Sequence, residues 1–237
     1  LIDMDDVDST ESKPEVSIVI PVLNEEENIA PLVTEIDDAL IGIRWEVIFI
    51  DDGSIDGTLG ELKKAKQNRE QIRILRLKRN WGKSTAMMLG FEAAEAPICI
   101  TMDGDLQDNP AEIPAFLEAI NAGSDLVCGQ RNKRRDGISK RWPSKIYNML
   151  ARRLLRTEMK DMNCGFKAYD TRLARSLNLY GDMHRFVPVL ARMEGAVITG
   201  LSVEHRPRRH GQSKYGAARL IRGILDMFTI AFLLSFL

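Results

Sequence analysis

The sequence predicts an α/β fold in which a mostly parallel sheet carries helices on both faces. Short apolar runs rich in β-branched residues alternate with stretches that carry an apolar stripe at helical spacing, and the connections between them are short. The 237 residues are 44% hydrophobic, which is enough for one sizeable core and excludes wholesale disorder.

The elements of the first 130 residues follow in strict alternation. The run VSIVIPV predicts a first strand at 16–22, and a stripe at positions 29, 32, 33, 36 and 40 predicts a helix at 28–40. The same patterns predict strands at 46–50, 72–77, 97–102 and 125–128, and helices at 58–68, 84–94 and 110–121. Ligands of such sheets bind beyond the carboxyl ends of the strands, where this chain repeatedly places polar and charged residues.

The second half of the chain is less regular and strongly basic. A basic amphipathic helix is predicted at 143–156, further strands at 164–170 and 196–204, and a basic loop at 206–216. Residues 1–130 carry 11 Lys/Arg and 26 Asp/Glu, whereas residues 131–237 carry 22 and 8. This polarity predicts an acidic half that holds cations and a basic half that meets phosphates, nucleic acid or anionic lipid.

The 3 cysteines lie far apart, so neither a disulfide framework nor zinc-ligand spacing can be drawn from them. No G-x-G-x-x-G follows the first strand, and 3 histidines offer little basis for a Ser-His-Asp triad. The basic half lacks the interleaved aromatic residues typical of nucleic-acid binding, which argues against that class of function.

Two acidic motifs follow predicted strands. Asp103 and Asp105 lie one residue apart after the strand at 97–102, where their carboxylates would repel each other unless a cation lay between them. Mg²⁺ or Mn²⁺ fits such a pair together with phosphate oxygens, and Gln107 could add an amide oxygen. Asp51-Asp52-Gly53-Ser54 follows another strand, and it reads either as a ribose- or base-binding segment or as a plain turn.

Taken together, these motifs resemble the family 2 glycosyltransferases of the GT-A fold. The resemblance is carried by Pro21-x-x-Asn24-Glu25, Asp51-Asp52-Gly53-Ser54-x-Asp56-Gly57-Thr58, Arg79-Asn80-x-Gly82-Lys83, Met102 to Pro110, Gly129-x-Arg131, Asp161-x-Asn163-Cys164-Gly165-Phe166-Lys167 and Arg208-x-x-Gly211-x-Ser213-Lys214. The match is closest to the polyprenyl-phosphate glycosyltransferases, which include dolichol-phosphate mannose synthase and bactoprenol glucosyltransferases. One departure is the run Asp108-Asn109-Pro110, where members typically have Pro-Pro or His-Pro.

The resemblance implies a role for each matched residue. The nucleotide would be bound by Pro21, Asn24, Glu25, Asp52, Lys83, Asp103, Gly104 and Asp105. Asp103, Asp105 and Gln107 would hold Mg²⁺ or Mn²⁺. The acceptor phosphate would be bound by Arg131, Arg152 and Arg153, and a loop with Arg206, Arg208, Ser213 and Lys214 would close over the nucleotide. Lys83, Asp105 and Asp161 are the catalytic candidates, with a structural cap as the alternative for Asp161.

The resemblance also implies the reaction. A sugar would pass with inversion from a nucleotide sugar, preferably a UDP-sugar, to a polyprenyl phosphate on the cytoplasmic face of a bacterial inner membrane. Alternatives are GDP-mannose as the donor, another family 2 transferase acting on a glycan or lipid, and an inactive scaffold that binds sugar nucleotides. The acceptor and the lipid membrane would be partners, nucleic acid would not, and the oligomeric state is left open, including a homo-oligomer.

The expected organisation has three parts. Residues 1–15 form an acidic tail without the positive start of a signal peptide, and residues 16–216 form the GT-A domain, with 143–156 as an interfacial helix. Residues 217–237 are expected to be a juxtamembrane helix that begins a truncated membrane segment. The apolar run from Gly223 has 15 residues, short of the roughly 20 that span a bilayer, and a buried terminal helix is the alternative.

Overall fold

The computed structural model describes residues 13–67, 69–131, 161 and 163–208, together with Thr229 and Phe232, both helical. Its strands are β1 (Val16–Val22), β2 (Trp45–Asp51), β3 (Ile72–Arg76), β4 (Ile98–Thr101), β5 (Leu126–Arg131), β6 (Lys167–Asp170) and β7 (Ile198–Val203). Its α-helices are α1 (Glu26–Ala39), α2 (Thr58–Lys66), α3 (Lys83–Ala93), α4 (Ile113–Asn121), α5 (Thr171–Ser176) and α6 (Val187–Met193), with short 3₁₀ helices at Pro110–Glu112 and Met183–Arg185.

Within these residues the strands form one sheet in the order β3-β2-β1-β4-β6-β5-β7. Strands β1 to β4 pair with one another in parallel, and β5 pairs in parallel with β7. Strand β6 runs antiparallel between β4 and β5, with Thr101 opposite Lys167 and Cys128 opposite the same lysine. The mostly parallel sheet predicted from the alternation is therefore confirmed, and β6 is its one reversed strand among the described residues.

Helices cover both faces of the sheet, so the central strands are buried on both sides. The stripe predicted for the first helix is the one that α1 buries, including Ile29, Leu32 and Ile36. On the other face α3 packs closely on β1, because a Cβ on Gly90 would lie 2.2 Å from a methyl carbon of Val19. Small residues in α3 thus let this helix approach the sheet.

Most predicted elements are present, with boundaries shifted by a few residues. Asp51 and Arg131 end their strands rather than following them, because their backbones continue the pairing of β2 and β5. The short helices α5 and α6 were not predicted from the sequence. The helix predicted at 143–156 lies outside the described residues, as does most of the segment 217–237. In the described part of the chain, no helix is long and apolar enough to cross a membrane.

Candidate active site

The loops after β1 and β2 are bound to each other by side-chain hydrogen bonds. The Asn24 N–H donates to Ser54 Oγ at 2.9 Å, and Asn24 Oδ1 accepts from the Ile55 N–H at 2.9 Å. The Glu25 N–H donates to Thr58 Oγ1 at 2.8 Å. Asn24 has a φ of +51°, a left-handed conformation that asparagine tolerates better than most residues. The residues predicted to meet the nucleoside therefore lie in one ordered loop pair.

Asp52 joins the loop after β2 to the loop after β3. Its Oδ1 accepts the Trp81 N–H at 2.7 Å and its Oδ2 accepts the Gly82 N–H at 2.9 Å. The two loops touch at the backbone, since a Cβ on Gly53 would lie 2.6 Å from the carbonyl carbon of Arg79. Burial raises the pKa of the Asp52 carboxyl, although the two N–H donors act in the opposite direction. Both carboxylate oxygens are engaged with the main chain.

Lys83 is the first residue of α3, and its ammonium group forms an ion pair with Asp103 after β4. Burial would raise the pKa of Asp103, but Lys83 outweighs that effect and the pKa falls to about 2. Burial would likewise lower the pKa of Lys83, but Asp103 raises it. The predicted diphosphate-binding lysine and the first predicted metal ligand are thus direct partners, both ionised at neutral pH.

Asp105 differs from Asp103 although only one residue separates them. Its Oδ2 accepts a hydrogen bond from the guanidinium of Arg208, and its Oδ1 accepts the Gln107 N–H at 3.2 Å. Burial and the negative charge of Asp103 raise the pKa of Asp105, while Arg208 acts against them. The pKa of Asp103 is thus lowered and the pKa of Asp105 is raised. Opposite shifts in two neighbouring carboxyls indicate that the negative charge of the cluster is not fully balanced.

Gln107 links this cluster to the segment after β7. Its Nε2 donates to the carbonyl oxygen of Arg206 at 3.1 Å, and its own carbonyl oxygen accepts the Arg206 N–H at 3.0 Å. The Arg206 guanidinium points elsewhere, to Glu35 on α1 at 2.6 Å. Of the predicted closing loop, Arg208 therefore reaches the carboxylates and Arg206 does not.

Asp108 is a buried carboxyl that the sequence did not single out as a site residue. Its Oδ2 accepts the Asp103 N–H at 3.0 Å, which closes the segment 103–108 into a ring. Leu106 makes the turn with a φ of +62° and is fully buried. Burial, and then the charge of Asp103, raise the pKa of Asp108 to about 7. Asp108 belongs to the run from Met102 to Pro110 that carries the family resemblance, and that position was the signal that could have pointed to it.

Two basic residues near Asp103, His184 and Lys167, were also not predicted from the sequence as site residues. His184, in the second 3₁₀ helix, donates its N–H to Ser84 Oγ at 3.1 Å, and its Nδ1 lies 3.1 Å from the same oxygen. Lys167 on β6 is buried and donates to the carbonyl oxygen of Cys164. Positive charge on His184 and Lys167 contributes, after Lys83, to the low pKa of Asp103. His184 could not be found from local pattern because its partner is 100 residues away.

Arg131 and Asp161 form a second charged centre at the end of β5. Arg131 Nε donates to one carboxylate oxygen of Asp161 at 2.6 Å, and Nη2 donates to the other at 3.0 Å. Their side chains are only 14% and 10% exposed. Burial would lower the pKa of Arg131, but Asp161 raises it. The two residues predicted separately, one for the acceptor phosphate and one for catalysis, are a bidentate pair.

The carboxylates offer a suitable site for a hard divalent cation. Asp103 and Asp105 supply oxygen ligands, which Mg²⁺ and Mn²⁺ prefer. The pKa of Asp105 is raised by burial and then by repulsion from Asp103, and a cation would relieve that repulsion. Among the residues that the structure describes, no three His, Cys, Asp or Glu side chains form a metal cage. The donor set therefore fits an ion that takes its remaining ligands from substrate phosphates and water.

The predicted site residues divide into three groups. The first group belongs to the loops at the carboxyl ends of β1 to β4 and to their partners, beside Pro21 in β1. It consists of Asn24, Glu25, Asp52, Lys83, Asp103, Gly104, Asp105, Gln107 and Arg208. Arg131 and Asp161 form the separate pair at the end of β5. Arg152, Arg153, Ser213 and Lys214 lie outside the described residues, so their roles stay predictions.

Comparison with known protein families identifies the family of this chain. Residues 17–177 match the family described as "Glycosyl transferase family 2". The chain belongs to glycosyl transferase family 2. The matched range contains both charged centres, the carboxylate ring at 103–108 and the pair of Arg131 with Asp161.

Two curated relatives share more than a third of their aligned residues with this chain. The chain is 36% identical over 94% of its length to a dodecaprenyl-phosphate galacturonate synthase of Rhizobium johnstonii, and it covers 68% of that protein. It is also 36% identical, over 90% of its length, to an undecaprenyl-phosphate 4-deoxy-4-formamido-L-arabinose transferase of Pseudomonas fluorescens, of which it covers 64%. The chain thus spans about two thirds of the length of these relatives, and both are named for polyprenyl phosphates.

Solved structures confirm the GT-A type of fold predicted for the chain. Glucosyl-3-phosphoglycerate synthase from Mycobacterium tuberculosis, in complex with Mn²⁺, UDP and glucosyl-3-phosphoglycerate, gives a TM-score of 0.73 at 20% identity. The match covers 92% of this chain and 80% of that one. A crystal structure of the same enzyme with Mg²⁺ and UDP gives 0.69 at 21% identity. At this level of identity the likeness concerns the fold.

Proposed function

We propose that the protein transfers a sugar from a nucleotide sugar, preferably a UDP-sugar, to a polyprenyl phosphate with inversion at the anomeric carbon. The observation that carries the proposal is the pairing of Asp103 with Lys83 and of Asp105 with Arg208 beyond the carboxyl end of β4. Such a cluster of two carboxylates and two cations suits a nucleoside diphosphate and its counterion. The names of the two curated relatives support a polyprenyl phosphate as the acceptor.

The donor diphosphate would be bound on the side of β1 to β4. Asn24 and Glu25 would face the nucleoside, in loops that are already ordered by mutual hydrogen bonds. Asp52 would belong to the same nucleotide-binding set, with its carboxylate bound to the loop after β3. Lys83 would exchange its contact with Asp103 for the diphosphate and neutralise charge that develops on the leaving group. The contact of Arg208 with Asp105 supports a closing role for the segment after β7.

A divalent cation fits this centre, with Asp103, Asp105 and Gln107 as its protein ligands. When bound, Mg²⁺ or Mn²⁺ would supply Lewis-acid neutralisation of the departing diphosphate. The structurally similar mycobacterial synthase has been crystallised with either ion together with UDP. This fold-level likeness agrees with the oxygen-rich donor set of the chain.

The acceptor needs no strong protein base. A phosphate monoester has a second pKa of roughly 6, so its oxygen is already anionic at neutral pH. That oxygen would attack C1 of the sugar, the bond from C1 to the diphosphate oxygen would break, and the nucleoside diphosphate would leave with the bonding electrons. A single displacement of this kind inverts the anomeric centre. The scarcity of histidine is consistent with such chemistry.

The acceptor phosphate would be bound from the side of β5. Arg131 would bind phosphate through its guanidinium, with Asp161 holding that group in place through two hydrogen bonds. Arg152 and Arg153, outside the described residues, complete the proposed acceptor set. Because the acceptor is a lipid, we place the reaction at the cytoplasmic face of a bacterial inner membrane, with 143–156 as the interfacial helix and 217–237 leading to the membrane.

The test is a transfer assay on the full-length protein in detergent. Radiolabelled UDP-glucose, UDP-galacturonic acid and GDP-mannose are each supplied with and without undecaprenyl phosphate, and lipid-linked product is measured. We expect transfer from a UDP-sugar that requires the lipid, with inverted anomeric configuration by NMR. Transfer to a glycan without the lipid would favour another family 2 activity, and transfer only from GDP-mannose would reassign the donor.

A further inference from the structure

Asp52 has more contacts with the protein than a residue devoted to a nucleoside requires. Both of its carboxylate oxygens accept main-chain N–H groups, from Trp81 and Gly82. The side chain is almost fully buried, with 5% of the residue exposed. The cost of burying this charge appears as its raised pKa, so the two hydrogen bonds offset an otherwise unfavourable placement.

The residues that Asp52 holds lead directly into α3. Gly82 is the cap residue of that helix and Lys83 is its first residue, and no side chain of the helix itself caps the N-terminus. Gly82 has φ +93° and ψ 159°, a conformation that is essentially restricted to glycine. The Asp52 carboxylate is therefore the external group that fixes the backbone immediately before Lys83.

Lys83 in turn binds Asp103, so a connected path leads from β2 to the carboxylate cluster. We infer that Asp52 is a positioning residue that acts on the donor's diphosphate through Trp81, Gly82 and the Lys83 ammonium group. This inference rests on the proposed function, since it needs a nucleoside diphosphate as ligand. It is distinct from a contact between Asp52 and the nucleoside.

The two roles separate in a series of ligands that differ only in phosphate number. Uridine, UMP and UDP are titrated by calorimetry against the full-length protein and its Asp52→Asn variant, with Mg²⁺ present. The asparagine side chain keeps one oxygen that accepts a main-chain N–H group. Its NH₂ group faces the other main-chain N–H and cannot accept it, so one of the two hydrogen bonds is lost. We expect UDP binding to weaken about 10- to 100-fold, the worth of a charge-assisted hydrogen bond, while uridine binding changes less than about twofold.

A double-mutant cycle with Lys83→Gln tests the path itself. If Asp52 acts through Lys83, the single variants lose similar UDP affinity and the double variant loses little more than either. Asp56→Asn is the matched control, because Asp56 accepts the N–H groups of Thr58 and Glu26 and, among the described residues, makes no hydrogen bond or ion pair with the segment 79–83. Asp56→Asn is expected to change the affinities for uridine and UDP by the same factor. Its effect on UDP affinity should add to that of Lys83→Gln.

Gly82→Ala gives an independent route should Asp52→Asn fail to fold. A Cβ at Gly82 meets no atom within 4 Å, so the substitution strains only the backbone that Asp52 holds. We expect the same selective loss of UDP binding. Equal losses for uridine and UDP, or additivity with Lys83→Gln, would overturn the positioning role. Failure of the wild-type protein to bind either UDP or GDP would instead overturn the proposed function, and this inference with it.

Discussion

The donor edge (the loops after β1 to β4) and the acceptor pair (Arg131 with Asp161), both named after the proposed function, use carboxylates in different ways. On the donor edge Asp51, Asp52 and Asp56 bind main-chain N–H groups and so fix loop shape. In the acceptor pair Asp161 binds a guanidinium through both oxygens and also accepts the Asn163 N–H, the capping contact that the sequence left as the alternative. Substitutions of Asp51, Asp52 and Asp56 should therefore change loop geometry, whereas substitutions in the acceptor pair should change the balance of charge.

The largest effect is expected for Asp105→Asn, which removes charge from the donor edge without removing a packed side chain. Activity should fall about a hundredfold or more, as when one electrostatic stabiliser is lost from an active site. The free energy of unfolding should change by less than about 1 kcal/mol, because repulsion from Asp103 disappears as well. Transfer assays and urea denaturation measure the two quantities.

The exposed Asp38 on α1 provides the control for that experiment, since Asp38→Asn should alter neither quantity. EDTA should depress wild-type transfer as strongly as Asp105→Asn does. Near-normal turnover in EDTA would contradict the assignment of Asp103 and Asp105 to a metal.

The acceptor pair should respond differently. Arg131→Ala removes the guanidinium from the buried Asp161 carboxylate, which keeps its bond to the Asn163 N–H, and should cost about 3 kcal/mol of unfolding free energy. Arg131→Lys keeps the charge but loses the bidentate geometry, so we expect a smaller loss of stability and an increased KM for polyprenyl phosphate. Nucleotide binding, measured as the Kd for UDP, should change little in either variant.

The double variant Arg131→Met/Asp161→Leu sharpens the distinction. It removes both charges, so stability should return toward the wild-type value while transfer to polyprenyl phosphate stays impaired. Normal acceptor KM in this double variant would mean that the pair only steadies the end of β5.

A pH dependence of intermediate size is expected at the donor edge. The pKa of Asp108 is raised to about 7 in the folded protein, so the native state binds this proton more tightly than the unfolded chain does. Its contribution to stability is therefore fully present below about pH 4 and is lost as the pH rises toward 7, by at most about 1.4 kcal/mol per pH unit. Urea denaturation of the wild-type protein and of Asp108→Asn from pH 4 to pH 8 would isolate the contribution of Asp108 to stability. Curves of unfolding free energy against pH that run parallel for the two proteins would contradict the prediction.

The smallest effect concerns the thiols near the acceptor pair. Burial raises the pKa of Cys128 and of Cys164 to about 12, although Lys167 acts against it in both. Almost no thiolate exists at pH 8, so neither cysteine should react with Ellman's reagent in the native protein within minutes. Both should react at once in urea, and rapid labelling of the native protein would show that the nearby cations activate them.

The sequence predicted those features that depend on local pattern. Buried strands such as β1 are recognisable from their β-branched composition, and parallel pairing brings the residues after their carboxyl ends to one edge. Asp103 and Asp105 could therefore be assigned to a site before any coordinates. The helices α5 and α6 have only 6 and 7 residues, too few for an apolar stripe to be distinguished.

Contacts between distant segments could not be predicted in the same way. The partners of Asp52 lie 29 and 30 residues away, and Asp161 lies 30 residues from Arg131. The inward turn of Asp108 depends on the left-handed backbone of Leu106, which a leucine rarely adopts. Local pattern identified which residues carry the chemistry, and long-range packing determined which of them became partners.

The place of the reversed strand β6 in the sheet affects the order in which the strands can assemble while the chain is being synthesised. Among the described strands, β1 to β4 pair with one another before residue 167 is made, whereas the described neighbours of β5 are β6 and β7. As the chain leaves the ribosome, four strands can assemble while β5, complete at residue 131, still waits for both of its neighbours. In the nascent protein the half of the sheet formed by β1 to β4 can therefore assemble first, and the strand that carries Arg131 joins the sheet after β6 has been translated.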